Sequence, residues 1–210
     1  MAWHVKSSGA YVRNSDEAKE NARMIYGILA SRGWTLNAVC GVLGNIGAES
    51  GYNPWRWQSD KIGVSTGSPW TNTGYGLTQF TPASKYIDSP YAKAISGYAP
   101  NFSDKAGGQS DGYAQIIFLD EHADYYATGA YPMSYTEYKA STDDPGELAV
   151  IWLYNYERPG DPGATEEARR ENGIYWYEVL SGSPPPVPGG DIASILKFFI
   201  MMMEVCTYER

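Results

Sequence analysis

Residues 35–50 of the sequence, TLNAVCGVLGNIGAES, decide the fold that we expect. Apolar side chains recur at helical spacing through this stretch, Thr35 is placed to cap its first turn, and Asn53-Pro54 cannot continue it. The sequence therefore predicts one helix that ends near Ser50. Three glycines recur at every third position inside it: Gly41, Gly44 and Gly47. Because each costs about 1 kcal/mol of helix stability relative to alanine, their spacing indicates that another backbone or a ligand approaches this helix closely.

The end of this helix carries the candidate catalytic group. Gly41, Asn45 and Glu49 share one helix face, so the last turn places Glu49 beside the segment that follows. The negative end of the helix dipole disfavours an ionised carboxylate, and burial against neighbouring tryptophans acts in the same direction. A carboxyl that keeps its proton is what general acid catalysis of glycosidic bond cleavage requires. A surface glutamate at a frayed helix end is the alternative that periodicity leaves open.

The residues around this helix predict a mostly helical body with one small lobe of different character. Glycine, serine, threonine and tryptophan dominate residues 51–81, and only 74–80, GYGLTQF, is typical of a strand, so we expect a β-hairpin lobe there. Further helices are expected from a capping box of Asn14 and Glu17 to Arg32, after Thr81-Pro82, over 111–126, after Asp144-Pro145 and after Thr165. The predicted fold class is α+β.

The chain divides into three parts. We expect a catalytic domain over residues 1–182, a linker over 183–190 and a hydrophobic C-terminal segment over 191–210. The linker, SPPPVPGG, combines stiff prolines with two glycines. Most of residues 192–203 are apolar, on all faces of a helix, but the stretch is too short to span a bilayer, which requires about 20 residues. We therefore expect this segment to be buried, with a protein partner as the favoured host.

Charge and composition argue against several classes of function. The 16 Lys and Arg residues against 24 Asp and Glu give a net charge of −8, which argues against nucleic acid or an anionic membrane as the main partner. Two cysteines cannot build a disulfide framework, and two histidines are too few for a His-rich metal site, so neither a metal nor another cofactor is expected. The N-terminal residues do not resemble a secretory signal peptide, which predicts synthesis in the cytoplasm and another route of export.

Five short motifs, taken in order, carry a resemblance to a known family. They are CGVLGN at 40–45, ES at 49–50, NPWRWQ at 53–58, GLTQ at 76–79 and YERP at 156–159. A helix that ends in Glu-Ser, followed by Gly-Leu-x-Gln and then an aromatic helix, resembles the lysozyme superfamily. Together with the other motifs it resembles more closely the phage tail-tip lysozyme domain of Bacillus-infecting podoviruses, over about residues 15–182.

This resemblance implies a lysozyme-like fold and a peptidoglycan glycosidase that cleaves the β-1,4 bond between N-acetylmuramic acid and N-acetylglucosamine. Glu49 would be its general acid. The resemblance also implies a bacteriolytic enzyme at the virion tail tip, made in the host cytoplasm, that degrades the cell wall during infection. The C-terminal segment would then bind a phage tail protein. Two alternatives stay open: a lytic transglycosylase that gives anhydro-muramic products, and a non-catalytic module that binds the tail or the wall.

Five further side chains are candidates for substrate binding: Asn45, Ser50, Trp57, Gln79 and Tyr156. Structural roles compete with this interpretation for three of them. Trp57 can pack the lobe onto the helices, Gln79 can bind the end of the Glu49 helix, and Tyr156 can be a core residue.

Glycosidases commonly use a second carboxylate. Asp60 is the candidate for a general base or an electrostatic stabiliser, and an ordinary polar turn is the alternative for it. Glu157 and Arg158 are interpreted as an ion pair that closes a helix.

Overall fold

The computed structural model describes residues 3–7, 9–60, 69–95 and 108–182, and this part of the chain contains eight α-helices. They are α1 (Asp16–Ser31), α2 (Leu36–Glu49), α3 (Ser84–Ile87), α4 (Pro90–Lys93), α5 (Gly108–His122), α6 (Tyr135–Ala140), α7 (Pro145–Trp152) and α8 (Glu166–Leu180). A π-helical turn, Leu153–Glu157, continues α7. Short 3-10 turns occupy Gln58–Asp60 and Pro69–Asn72.

The first two helices begin at side-chain caps. Thr35 caps α2 as predicted, because its Oγ1 accepts the backbone N–H three residues further on at 3.1 Å, and the helix ends at Glu49. The cap of α1 is Ser15 rather than the predicted Asn14. Ser15 is the extended residue directly before the first helical turn, so its Oγ reaches the N–H of Ala18 at 3.2 Å.

The later helices follow the predicted order with shifted ends. As predicted, α7 begins with the Pro145 that follows Asp144, and α8 begins with the Glu166 that follows Thr165. The helix expected over 111–126 is α5, which ends at His122. It stops early because the backbone N–H of Tyr126 donates to the carbonyl oxygen of Asn155 at 2.9 Å instead of continuing the helix.

Glycines let α2 pack closely against its neighbours α7 and α8. A Cβ on Gly44 would lie 2.8 Å from the carbonyl oxygen of Arg169 and 3.0 Å from the nitrogen of Gly173, both in α8. At Gly41 a Cβ would overlap the hydroxyl of Tyr138. The predicted close approach is therefore confirmed, and at Gly44 the approaching group is the backbone of α8.

The predicted β-hairpin lobe is wrong. Residues 51–60 and 69–81 form turns and loops, and the described ranges contain no strand. The lobe has only isolated antiparallel bridges, which join Trp57 to Tyr75 and Tyr75 to Phe80. The fold is therefore mostly helical, with an irregular lobe, and is not α+β.

The stretch GYGLTQF cannot extend into a strand for two reasons. Gly76 and Gln79 adopt left-handed backbone conformations, with φ of 83° and 47°, so the chain turns back on itself. The backbone N–H of Leu77 donates to Oε1 of Gln115 in α5 at 2.8 Å rather than to a neighbouring strand. A side chain distant in sequence has taken the place of a sheet partner.

The predicted linker over 183–190 and the C-terminal segment over 191–210 lie outside the described residues, so the division of the chain stays a prediction. Among the helices that are described, none is both long enough and apolar enough to cross a membrane.

Candidate active site

A cleft of about 410 Å³ opens where the C-terminal end of α2 meets the lobe, the end of α5 and the π-helical turn. Glu49 lines it from α2, and Tyr156 and Glu157 line it from the π-helical turn. The lobe contributes Gln58 and residues 78–81. Most of the lining side chains are polar or charged, which suits a ligand rich in hydroxyl and amide groups. The described residues contain no cluster of three His, Cys, Asp or Glu side chains that could hold a metal ion.

Glu49 is held by an arginine from α8. Arg169 is only 5% exposed, and its Nη2 donates to Oε1 of Glu49 at 2.7 Å. Its Nη1 donates to the carbonyl oxygen of Asn45 at 2.6 Å, so the guanidinium is fixed against the last turns of α2. The side chain of Glu49 keeps 23% of its surface exposed. The site therefore contains a carboxyl group that the protein orients and that a ligand in the cleft can reach.

The π-helical turn brings a second carboxyl group to the same cleft. Such turns are rare and occur frequently at functional sites. This one ends at Arg158, whose backbone N–H donates to the carbonyl oxygen of Leu153 at 2.8 Å. Burial raises the pKa of Glu157 well above its ordinary value, and the nearby charge of Glu49 raises it further. Nε1 of Trp152 donates to Oε1 of Glu157 at 3.2 Å.

Backbone strain collects around the cleft. Five non-glycine residues of the described chain have positive φ, and three of them line the cleft: Ser59, Gln79 and Arg158. Each such conformation costs about 1–3 kcal/mol, and folded proteins concentrate this strain at functional sites. The strain supports the identification of this cleft as the functional one.

Two of the predicted substrate-binding residues line the cleft. Nε2 of Gln79 donates to the carbonyl oxygens of Arg56 and Gly76, both at 3.0 Å, so this amide braces the lobe rather than the end of α2. Tyr156 is half-buried, its hydroxyl lies 3.3 Å from Oγ1 of Thr78, and burial raises its pKa. Contact of these two side chains with a sugar stays a prediction.

The other three predicted substrate-binding residues, Asn45, Ser50 and Trp57, are fully buried and do not line the cleft. Nδ2 of Asn45 donates to the carbonyl oxygen of Ala149 at 2.9 Å and so links α2 to α7. Oγ of Ser50 donates to the carbonyl four residues earlier at 3.2 Å. The ring of Trp57 packs on Tyr75 with centroids 4.6 Å apart. The structure places all three in the packing that supports Glu49 and the lobe.

Asp60 also lies outside the cleft lining. Its Oδ1 accepts from Nε of Arg56 at 2.9 Å and from the backbone N–H of Gly9 at 2.8 Å. The hydrogen bond from Arg56 lowers the pKa of Asp60, and the backbone N–H of Gly9 also lowers it. This carboxylate ties the N-terminal segment to the lobe, and its role as a second catalytic carboxylate stays a prediction.

The predicted ion pair between Glu157 and Arg158 is wrong. Nη2 of Arg158 donates to Oδ2 of Asp124 at 3.2 Å, and the guanidinium lies over the ring of Tyr126 at 4.8 Å from its centroid. The left-handed backbone at Arg158 ends the π-helical turn and separates the two neighbouring side chains. Glu157 thus lines the cleft and is not paired with Arg158.

Sequence reasoning missed Arg169 as a part of the site. The signal was present but weak: Arg169 and Gly173 lie one turn apart on α8, so the arginine shares a helix face with a glycine that lets the backbone of α7 approach closely. The contact with Glu49 joins residues 120 positions apart, and no local pattern announces it.

Comparison with known proteins places the chain in a family. The sequence model of the family described as phage tail lysozyme matches residues 20–180. The chain is also 34% identical over 179 residues to Morphogenesis protein 1 of Bacillus phage B103. That match covers 84% of this chain and 43% of the relative, so the chain spans less than half of the relative's length. The residues that line the cleft, from Glu49 to Arg158, all lie inside the family match. The chain belongs to the phage tail lysozyme family.

Proposed function

We propose that this chain is a peptidoglycan glycosidase that cleaves the β-1,4 bond between N-acetylmuramic acid and N-acetylglucosamine, with Glu49 as its general acid. One observation carries the proposal: Glu49 ends α2 at the wall of a polar cleft, where Arg169 fixes its Oε1 at 2.7 Å. In the reaction Glu49 donates a proton to the leaving glycosidic oxygen, and a water molecule attacks the anomeric carbon. Gln79 and Tyr156 line the same cleft, which supports contact of both side chains with the sugar.

A lytic transglycosylase is the second candidate. It uses one glutamate first as acid and then as base, and the 6-hydroxyl of the muramic acid replaces water. The position of Asp60 favours this candidate, because its carboxylate is bound by Arg56 and Gly9 and does not line the cleft. The two reactions leave different products, so they are separable by mass spectrometry.

The replacement Glu49→Gln tests the proposal. Because Gln cannot supply a proton, we expect lysis of purified cell walls to fall by about 10²–10⁴-fold. The charge of Arg169 loses its counter-ion in this variant, so the unfolding temperature is expected to fall, while circular dichroism shows a folded protein at the assay temperature. Glu178→Gln, at an exposed position of α8, is the matched control and is expected to lyse walls as the parent does. If the Glu49→Gln protein keeps more than about a tenth of the parent rate, Glu49 is not the acid.

The same preparations decide the reaction type. Muropeptides with a reducing end and an added water indicate hydrolysis, whereas 1,6-anhydro ends indicate transglycosylation. Asp60→Asn belongs to this series: a loss of about 10²-fold supports a catalytic carboxylate there, and a near-parent rate removes Asp60 from the mechanism. A parent protein that binds walls without releasing any muropeptide would show a non-catalytic module.

We further propose that the protein acts at the phage tail tip, on the host wall during infection, and that residues 191–210 hold it on a tail protein. Membership of the phage tail lysozyme family supports the wall as its target. The relative in phage B103 is named for morphogenesis, which supports a place in the particle. The apolar composition of residues 192–203 supports burial against another protein.

A further inference from the structure

We propose that Glu157 is the proton-holding partner of Glu49: in the free protein, the proton that Glu49 delivers to the glycosidic oxygen resides on the carboxyl group of Glu157. This inference rests on the glycosidase reaction proposed above and names a residue that acts in it through Glu49. The cleft contains two carboxyl groups in unlike surroundings. Unlike surroundings separate the pKa values of such a pair, so that one group is charged and the other is neutral.

The contacts of the two groups differ in kind. Glu49 accepts a charge-assisted hydrogen bond from Arg169 at 2.7 Å, so a cation lies directly against one of its carboxyl oxygens. Glu157 accepts from the neutral indole N–H of Trp152 at 3.2 Å, and within the described residues no basic nitrogen lies within 4.0 Å of its carboxyl oxygens. Both line the same cleft. A proton shared by the two therefore resides on Glu157.

The other charges that face this pair do not alter the assignment. The charged or titratable side chains around Glu157 are Glu49 from α2, Arg169 from α8, the adjacent Arg158 and Tyr156, and, along the cleft, Arg56, Lys85, His122 and Asp124. Each of the four cationic side chains already faces another carboxylate. Arg169 pairs with Glu49, Arg56 with Asp60, and both Arg158 and Lys85 with Asp124. The ring of His122 lies 2.9 Å from the hydroxyl of Tyr91.

Burial and the negative charge of Glu49 raise the pKa of Glu157. The positive charges of Arg169 and Arg158 and the hydrogen bond from Trp152 lower it by less, so the pKa stays well above its ordinary value. Burial raises the pKa of Tyr156, its neighbour on the π-helical turn, so this hydroxyl carries no charge that could compensate.

The proton moves from Glu157 through Glu49 to the glycosidic oxygen. The O–H bond of Glu157 breaks as its proton passes to the carboxylate of Glu49, directly or through one water molecule. Glu49 then gives this proton to the glycosidic oxygen while the bond from that oxygen to the anomeric carbon breaks. The attacking hydroxyl, from water or from the sugar, forms the new bond to the anomeric carbon and returns its proton to the pair. No oxidant, reductant or further reactant is needed.

The replacement Glu157→Gln tests this role sharply, because Gln reproduces the neutral carboxyl group in shape and charge. It keeps a carbonyl oxygen for the N–H of Trp152 and offers an N–H where the acid offers an O–H. We expect the unfolding temperature and the binding to intact walls to stay as in the parent. We expect the lytic rate at neutral pH to fall by about 10²-fold, and the alkaline limb of the pH–rate profile to move to lower pH. Glu178→Gln serves again as the exposed control.

The outcomes separate this inference from the proposed function. A Glu157→Gln protein with the parent rate and the parent pH profile overturns the inference, while the function stands if Glu49→Gln is inactive. An active Glu49→Gln protein overturns the function itself. Should Glu157→Gln fail to fold, ¹³C NMR of labelled glutamate carboxyls in the parent protein gives the answer. A Glu157 carboxyl that is protonated at neutral pH supports the inference, and one that is ionised there overturns it.

Discussion

The replacement Gly44→Ala tests how α2 and α8 hold the candidate site together. A Cβ at this position would lie 2.8 Å from the carbonyl oxygen of Arg169, 3.0 Å from the nitrogen of Gly173 and 3.0 Å from Cβ of Ala149. Two of these three atoms belong to the backbone of α8 and cannot rotate away. The helices must therefore separate by a few tenths of an ångström.

The size of the effect follows from two opposing contributions. Overpacking a tightly packed interior costs about 1–3 kcal/mol, whereas alanine in place of glycine within a helix contributes about 1 kcal/mol. The expected net loss is at most about 2 kcal/mol in the free energy of unfolding. For a chain of 210 residues, this lowers the unfolding temperature by up to roughly 8 °C. The part of α8 that must move includes Arg169, which binds Glu49. The lytic rate is therefore expected to fall several-fold as well.

Thermal unfolding followed by circular dichroism, together with a turbidity assay on purified walls, measures both effects. Gly129→Ala is the matched control, since a Cβ there would have no neighbour within 4 Å and its φ is not in the left-handed region. The control is expected to unfold at the parent temperature or slightly above it. A Gly44→Ala protein as stable as this control would refute the argument that α2 and α8 need the glycine for their approach.

Two further predictions concern the core and the C-terminal segment. Asp111 accepts hydrogen bonds from the hydroxyls of Tyr75 and Tyr86, and burial raises its pKa from 3.8 to about 6. Because the folded protein binds this proton more tightly than the unfolded chain, the contribution of Asp111 to folding stability is lost as pH rises from about 4 to about 6. Asp111→Asn should remove this dependence of the free energy of unfolding on pH. In the parent, chemical denaturation should show a difference of as much as about 3 kcal/mol between pH about 4 and pH about 7. The same difference in the Asp111→Asn protein would contradict the assignment to Asp111. Truncation after residue 190 should leave lysis of isolated walls near the parent rate and abolish incorporation into phage particles. Loss of lysis would instead place the segment on the catalytic domain.

Local sequence determined the element that carries the candidate acid. The Thr35 cap and the apolar spacing specify the beginning and the course of α2, and the left-handed backbone of Gly51 follows its last residues, so local sequence accounts for both ends. The glycines at every third position also predicted a closely packed neighbour. Each glycine lowers helix stability, so three of them in one helix indicate that a neighbouring group occupies the place of the missing side chains. The order of short motifs was sufficient to indicate the family.

The backbone conformation of the lobe could not be predicted from its local sequence. GYGLTQF has the alternation of a strand, but a strand needs a partner for its backbone, and here Gln115 of α5 takes the N–H of Leu77 while Gly76 and Gln79 turn the chain. Whether an extended stretch finds a sheet or a side chain depends on what the remaining chain brings beside it.

The electrostatics of the cleft were decided by tertiary structure alone. Glu49, Glu157 and Arg169 come from three separate segments, and nothing near any of them in sequence tells which carboxyl group the arginine will bind. Packing of α8 on α2 through Gly44 brings Arg169 to Glu49, and the left-handed turn at Arg158 directs that arginine to Asp124. The sequence by itself therefore determined where a carboxyl group would stand at a helix end. Only the folded chain determined which carboxyl group is paired with a cation and which is left to hold a proton, because that depends on burial and on charges far away along the chain.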